Sequence, residues 1–235
     1  MEITHFTCSA LLKTPNEDGD YPIFLAGKNC SLSAFTTLLG CNECDVIVVN
    51  ALTGNNTLHS ACEDPDRDRA ADKIRLLLMR DPILLTLRNK AGDSPLHLAA
   101  KYCTDQAVKA MLDCYEHCQL NAMQPDTDRT ALHLAVLHNS DDVVMTFLGD
   151  IDIDVNVVDK RGDTAVLTAY RMKRYSLART MERHRNYKRI FPRAHILSLK
   201  EVCFSNWFIF GKMSLSESTL VFRVRTLSML NGARF

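Results

Sequence analysis

The chain has 235 residues, of which 46% are apolar and 24% charged, values typical of a globular protein with one or two domains. The formal net charge is zero, but residues 1–170 hold 14 basic and 25 acidic residues, whereas residues 171–235 hold 14 basic and 3 acidic residues. An acidic body excludes a broad phosphate-binding surface there, so we expect no direct nucleic-acid binding, and the charge division indicates interaction surfaces.

The sequence shows neither a membrane-spanning pattern nor a secretory-leader pattern. No run of about 18 apolar residues is present, so we expect no membrane span. The start, MEITHFTCSALLK, lacks a basic region followed by an apolar run, so we expect no secretory leader. Nine cysteines with irregular spacing then indicate free thiols in a reducing compartment. The expected location is the cytoplasm, with the nucleus as a second possibility.

A repeated pattern follows residues 1–15, which are interpreted as a lead-in or cap. The stretches GNNTLHSAC, GDSPLHLAA and DRTALHLAV place His59, His97 and His133 at the same position, 38 and 36 residues apart. Steps of 35 residues back and 34 forward reach Phe24 and Leu167 in related stretches. The spacing predicts five units in register over residues 16–184, here called units 1 to 5.

Each unit is predicted to form a tight turn followed by two helices. A glycine stands where the turn needs a positive φ, and Asp128 takes that place in unit 4. Pro22 and Pro95 occupy the first helical position, where proline is tolerated. The turn glycines are Gly19, Gly54, Gly92 and Gly162. The helix N-caps that follow them are Asn56, Ser94, Thr130 and Thr164.

Unit 2 is longer than its neighbours. From Cys62 to Ile74 the chain advances 12 residues, against 8 between the equivalent positions of units 3 and 4. The additional residues fall within EDPDRDRAAD, between the two predicted helices. Proline and charges in this stretch predict a solvated loop.

The stretches SPLHLA (94–99) and TALHLA (130–135) resemble the ankyrin-repeat motif, and the resemblance covers residues 16–184. It implies an all-α solenoid of about five helix-turn-helix repeats with short β-hairpin-like turns over residues 16–192, as a monomer. It also implies that His59, His97 and His133 are structural, with each ring bonded to the cap hydroxyl and neighbouring backbone. Phe24 and Leu167 at the same position agree with a scaffold role.

Catalytic and metal sites are not predicted. Cys41-x-x-Cys44 lacks a second pair at suitable spacing, since Cys114 and Cys118, with His117 between them, lie two units away. No Gly-rich phosphate loop, HExxH or GxSxG motif is present. We therefore predict no enzyme activity, no cofactor and no metal, and interpret the cysteines as ordinary thiols.

Two segments at the end of the chain carry open alternatives. The basic stretch of residues 171–189 is interpreted as the solvated face of the last helix, or as a nuclear import signal or a contact for an acidic partner. Residues 193–235 leave the register of the units. They fit a cap on the last unit, a disordered tail, or a divergent or spliced end.

A solenoid presents a binding surface without a catalytic pocket, so the variable surface positions are the candidate contacts. We expect contacts at the ends of the inner helices, called the inner row, and at the turn tips, called the tip row. The inner row comprises Glu63, Asp64, Lys101, Tyr102, Leu137, His138 and Tyr170. The tip row comprises Asn89, Lys90, Asp126, Thr127, Lys160 and Arg161.

Within the ankyrin family, residues 92–112 and 131–144 resemble the IκB-type inhibitors. The resemblance implies that the array grips the Rel homology region of an NF-κB-type transcription factor, covers its basic nuclear import signal and blocks DNA binding. No Asp-Ser-Gly-x-x-Ser motif precedes the units, which implies either resistance to signal-induced destruction or a fragment or variant of a longer protein. The alternative is a general ankyrin adaptor in signalling or ubiquitin ligase recruitment.

Overall fold

A computed structural model describes residues 11–41, 44–114, 118–138 and 141–188. All the described residues lie within the region Met1–Ile190. The interpretations of residues 193–235 and of His117 lie outside them, as does most of the 1–15 lead-in.

Ten α-helices in the described part form five consecutive pairs, one pair for each predicted unit. The first helices of the pairs contact one another in chain order, as do the second helices of units 1 to 4. No strand is assigned in the described residues, but single β-bridges join Val49 to Asn56 and Val158 to Thr164 at the turns. The pairs are α1 (Pro22–Asn29) and α2 (Leu32–Leu39), α3 (Thr57–Cys62) and α4 (Arg67–Arg80), α5 (Pro95–Tyr102) and α6 (Asp105–Leu112), α7 (Ala131–His138) and α8 (Asp141–Gly149), α9 (Ala165–Arg171) and α10 (Tyr175–Glu182).

The predicted turn chemistry is confirmed. All four turn glycines have φ between 73° and 78°, and Asp128 has φ 54° at the same position of unit 4. At two turns the next unit also packs too closely for a side chain. A Cβ on Gly54 would lie 2.7 Å from the backbone nitrogen of Lys90, and one on Gly92 would lie 2.3 Å from the Pro125 ring. These glycines therefore permit both the turn and the stacking.

The predicted caps begin their helices as expected. Asn56 and Ser94 each form a capping box with the histidine three residues later, and the Thr164 hydroxyl accepts from the Leu167 N–H. Pro22 and Pro95 are the first residues of α1 and α5. Behind these starts, both helices of each unit turn apolar side chains inward, and the largest fully buried ones include Phe24, Phe35, Leu58, Ile74, Leu96, Met111 and Phe147.

The expectation of a solvated loop in unit 2 is wrong for most of the additional residues. They lengthen the second helix, because α4 has 14 residues whereas α6 has 8. Asp64 turns inward and its side chain is fully buried, as is that of Lys73 on α4. The charges in this stretch predict exposure to solvent, but Asp64 and Lys73 form an ion pair in the interior. A buried charge is tolerated only when it is paired.

Candidate protein-interaction surface

The motif histidines join each unit to the next one. His97 Nδ1 accepts from the Ser94 N–H at 3.2 Å and lies 2.7 Å from the Ser94 hydroxyl, while Nε2 lies 3.3 Å from the Arg129 carbonyl oxygen in the following unit. Because a carbonyl can only accept, Nε2 carries the ring proton. His59 and His133 reach the carbonyls of Asp93 and Asp163 in the same way. The ring therefore links two units, a longer reach than the turn-to-helix bond expected from the sequence.

These three rings are held in the neutral form. Burial lowers the pKa of His59, His97 and His133 below the ordinary 6.5, against the opposing effect of the carbonyl hydrogen bonds and nearby carboxylates. Both nitrogens of each ring are already engaged within the fold. Among the described residues, no group of three or more His, Cys, Asp or Glu side chains is placed to hold a metal ion.

Unit 1 has Phe24 at the histidine position, and a buried ion pair joins it to unit 2. Lys73 Nζ lies 2.6 Å from Asp64 Oδ2 and within 2.7–2.9 Å of the carbonyl oxygens of Ala26, Gly27 and Cys30, at the end of α1. A cation at a helix C-terminus also interacts favourably with the helix dipole. The sequence pattern did not reveal this cluster, because its members are 9 to 47 residues apart.

Asp64 is therefore unavailable to a partner. Its carboxylate also accepts from Arg69 at 2.9 and 2.5 Å. Burial by itself raises the pKa of Asp64, but the hydrogen bonds from Arg69 and Lys73 outweigh it and leave the pKa below 3.8. The expectation that Asp64 contacts a partner is therefore wrong, because its side chain is fully buried and has a structural role.

The structure brings other members of the inner row together at a groove of about 520 Å³. Glu63 and Tyr102, from units 2 and 3, both line it, with Pro65 and Arg67 of the unit 2 insertion on one side. Lys28 of unit 1 forms an ion pair with Glu63 at 2.9 Å, and Lys101 Nζ lies 4.7 Å from the centre of the Tyr102 ring. The Tyr102 side chain is exposed beside these charges.

The row continues across units 4 and 5. His138 is exposed at the end of α7 and Leu137 beside it is half-buried. Tyr170 is half-buried, and its ring centre lies 6.3 Å from that of Tyr175. Burial and the neighbouring Glu182 raise the pKa of Tyr170 to about 12, so its hydroxyl remains protonated at neutral pH.

The tip row is largely occupied by bonds between units. The Lys90 N–H donates to the Thr53 carbonyl at 2.9 Å, and its ammonium donates to the Ala51 carbonyl at 2.7 Å. The bonding repeats two units later, where Lys160 donates from both groups to the carbonyls of Thr127 and Pro125 at 2.9 and 2.7 Å. Both lysines are exposed, as the sequence pattern predicts, and they also tie adjacent tips to each other.

Two other tip residues also have side-chain partners. Asn89 donates to Asn55 at 2.9 Å, and the Thr127 hydroxyl donates to Gln124 at 2.8 Å. Asp126 and Arg161 are exposed. Lys90 and Lys160 are exposed as well, and Asn89 and Thr127 are half-buried, so all six members of the tip row stay candidate contacts.

An apolar surface at the tip of unit 2 was missed by sequence reasoning. Ile47, Val49 and Leu52 are exposed to 46%, 48% and 62%. The stretch DVIVVNAL has the composition of a buried strand, so its exposure is not evident from the sequence. Adjacent exposed apolar side chains of this kind indicate contact with another surface.

The last unit carries a cluster of exposed cations, here called the basic edge. Its residues are Arg171, Lys173, Arg179, Arg183, Arg185 and Lys188, at both ends of α10 and on its exposed side. Arg174 lies between them but is used internally, because it donates to the Val136 carbonyl at 2.5 Å and to the Asp141 carboxylate. The interpretation of residues 171–189 as a solvated helix face holds for Arg179 on α10, which spans Tyr175–Glu182, whereas the other cations of the basic edge lie before or after this helix.

Comparison with known protein families agrees with this geometry. The family model described as ankyrin repeats (3 copies) matches the chain over two overlapping ranges, residues 72–159 and 96–182. This part of the chain consists of ankyrin repeats, and the fold is the all-α ankyrin solenoid that the sequence predicts. Ankyrin repeats indicate a protein–protein interaction module.

No helix in the described residues combines the length and the apolar character that crossing a bilayer requires.

Proposed function

We propose that this chain is an IκB-like inhibitor that sequesters a Rel-type transcription factor, acting as a monomer in the cytoplasm and also in the nucleus. The observation that carries the proposal is the exposed inner row on an acidic body, in which residues 1–170 hold 25 acidic and 14 basic residues. A DNA-binding protein presents a basic face, which such a body attracts.

The inner row supplies the contacts in this proposal. Tyr102 offers a large side chain with a polar tip beside Glu63, and aromatic residues of this kind dominate binding energies. His138 extends the same row in unit 4. Since the acidic body attracts cations, this chain and DNA compete for the same basic surface of the transcription factor.

The test is binding of the full chain to purified Rel homology dimers, at low and physiological salt, with and without κB-site DNA. We expect binding that weakens with salt and is displaced by DNA. Tyr102→Ala should weaken it at least about tenfold, the loss typical of a hot spot. Met79→Ala is the matched control, because Met79 is 83% exposed on the second helix of unit 2 and should change little.

A general adaptor in signalling or ubiquitin ligase recruitment is the second candidate. The apolar tip of unit 2 favours it, because Ile47, Val49 and Leu52 suit an uncharged partner surface. No binding to Rel dimers at micromolar concentration rejects the inhibitor. If the Leu52→Asp variant then loses binding to a partner of the adaptor, and the Tyr102→Ala variant keeps it, the function is assigned to the apolar tip of unit 2.

A further inference from the structure

We propose that the basic edge is a second interaction surface, which binds a short acidic segment of a partner protein. It lies on unit 5 and does not depend on the identity of the client bound along the inner row. Residues 171–188 contain seven basic residues and one acidic residue, Glu182. This is opposite in sign to residues 141–163, which contain seven acidic and two basic residues.

Most cations of the basic edge are exposed and form no internal ion pair in the described residues. Arg171 pairs with Asp163 at 3.0 Å, and even so its side chain is 46% exposed. Lys173, Arg183, Arg185 and Lys188 are exposed, and within the described residues no ion pair is formed by their side chains. Like charges held at one place repel each other, so an anionic ligand relieves a cost as well as forming new hydrogen bonds.

The geometry of α10 sets the size of the ligand. Lys173 precedes this eight-residue helix and Arg183 follows it. A rise of 1.5 Å per residue separates the two ends by about 12 Å. An extended peptide advances about 3.3 Å per residue, so four residues span the same distance. A segment of about four to six residues with acidic side chains at each end therefore reaches both groups of cations.

The surroundings of the edge favour a short acidic segment over nucleic acid. Asp141 meets Arg174, Asp163 meets Arg171, and Asp152 and Asp154 are exposed on the loop that precedes the tip of unit 5. A nucleic acid carries charge continuously beyond the edge and would meet these carboxylates. A peptide of a few residues ends before it reaches them.

The backbone of Lys173 has a positive φ, which is unfavourable for any residue with a side chain. Its φ is 60°, and its N–H and that of Arg174 donate to the carbonyls of Tyr170 and Ala169 at 3.0 and 2.9 Å. This closes α9 with a residue in the left-handed region, where glycine is preferred. Glycine would make the fold more stable at this position but would supply no cation. The presence of lysine is therefore consistent with a binding role.

The test uses the full 235-residue chain and fluorescence anisotropy. The probe is a labelled 12-residue peptide with a central block of glutamates, compared with the same peptide carrying glutamine. The combined variant Arg183→Gln, Arg185→Gln, Lys188→Gln should weaken binding of the glutamate peptide at least about tenfold. The matched control Arg75→Gln, Arg80→Gln, Lys109→Gln removes three cations from other units and should change the Kd less than twofold.

Circular dichroism and thermal melting would establish that both variants are folded. The proposal is overturned if the glutamine peptide binds equally well, or if both triple variants lose the same affinity. A single-stranded oligonucleotide that binds more tightly than the glutamate peptide, with the same loss in the edge variant, would assign the edge to nucleic acid. Because both variants keep residues 189–235 unchanged, the basic residues there cannot account for a difference between them.

Discussion

Side-chain bonds link each unit to the next, and each such link is here called a joint. The joint between units 1 and 2 is ionic, whereas the three joints that follow it are made by neutral histidines. Units 2, 3 and 4 each reach the next turn through a neutral histidine ring and a carbonyl oxygen. Unit 1 has Phe24 instead, and Lys73 of unit 2 reaches back to the end of α1. A neutral ring needs only hydrogen bonds, whereas a buried ammonium also needs the Asp64 carboxylate.

This difference implies that the joints fail under different conditions. A neutral ring joint weakens when the ring gains a proton, and an ionic joint weakens when its carboxylate does. In a solenoid each unit contacts only its neighbours, so the loss of one joint separates the parts on either side. The ionic joint also explains the length of unit 2, because its additional residues hold Asp64 and extend the helix that carries Lys73.

The largest effect is expected from breaking the ionic joint. Asp64→Ala leaves Lys73 buried without its carboxylate and should lower the free energy of unfolding by about 3–5 kcal/mol. Urea denaturation measures the loss. The control is Asp68→Ala, at an exposed position on α4, the helix that carries Lys73. It should lower the free energy of unfolding by less than about 0.5 kcal/mol. Equal losses in the two variants would contradict the ionic joint.

A smaller effect is expected from breaking a histidine joint. His97→Ala removes hydrogen bonds to Ser94 and to the Arg129 carbonyl and should lower the free energy of unfolding by about 1–2 kcal/mol. The affinity for any partner should stay within about twofold, because the ring is buried. A large loss of affinity in a folded variant would assign the histidine to binding.

Acid should separate the two kinds of joint. The folded-state pKa values of His59, His97 and His133 lie below 6.5, so their stability contribution is complete above pH 6.5 and is lost as pH falls below it. The pKa of Asp64 lies below 3.8, so the ionic joint weakens only at lower pH. Hydrogen exchange at pH 5 should therefore show opening at units 2 to 5 before the joint of unit 1. Simultaneous opening of all joints would contradict this order.

The smallest effect is a gain in stability at the last unit. Lys173→Gly relieves a left-handed backbone at φ 60° and should raise the free energy of unfolding by about 1 kcal/mol. Thermal melting measures it, with Lys109→Gly as a control that should destabilise a regular helix by about 1 kcal/mol. An unchanged or lowered melting temperature for Lys173→Gly would show that no strain is stored there.

Much of the fold could be predicted because its signals are local. Each turn, cap and helix start depends on residues within about six positions, as with Gly92, Ser94 and Pro95 before α5. Repetition of these local signals at a regular spacing then predicts the stack. The candidate site was predicted less completely, since exposure depends on neighbours in other units. The contact role of Lys90 and Lys160 stays a prediction, but the sequence does not indicate that their ammonium groups also bond to the preceding tips.

The sequence by itself determined the spacing of the units, their turns and their helix starts, because hydrophobic period and turn chemistry act over short distances. The structural role of the histidines was implied by the resemblance to ankyrin repeats. Only the tertiary structure decided that Asp64 is buried, that Lys73 closes α1, and that Ile47, Val49 and Leu52 are exposed. Those outcomes depend on residues tens of positions away, where the partner that satisfies a charge or covers an apolar side chain is set by stacking.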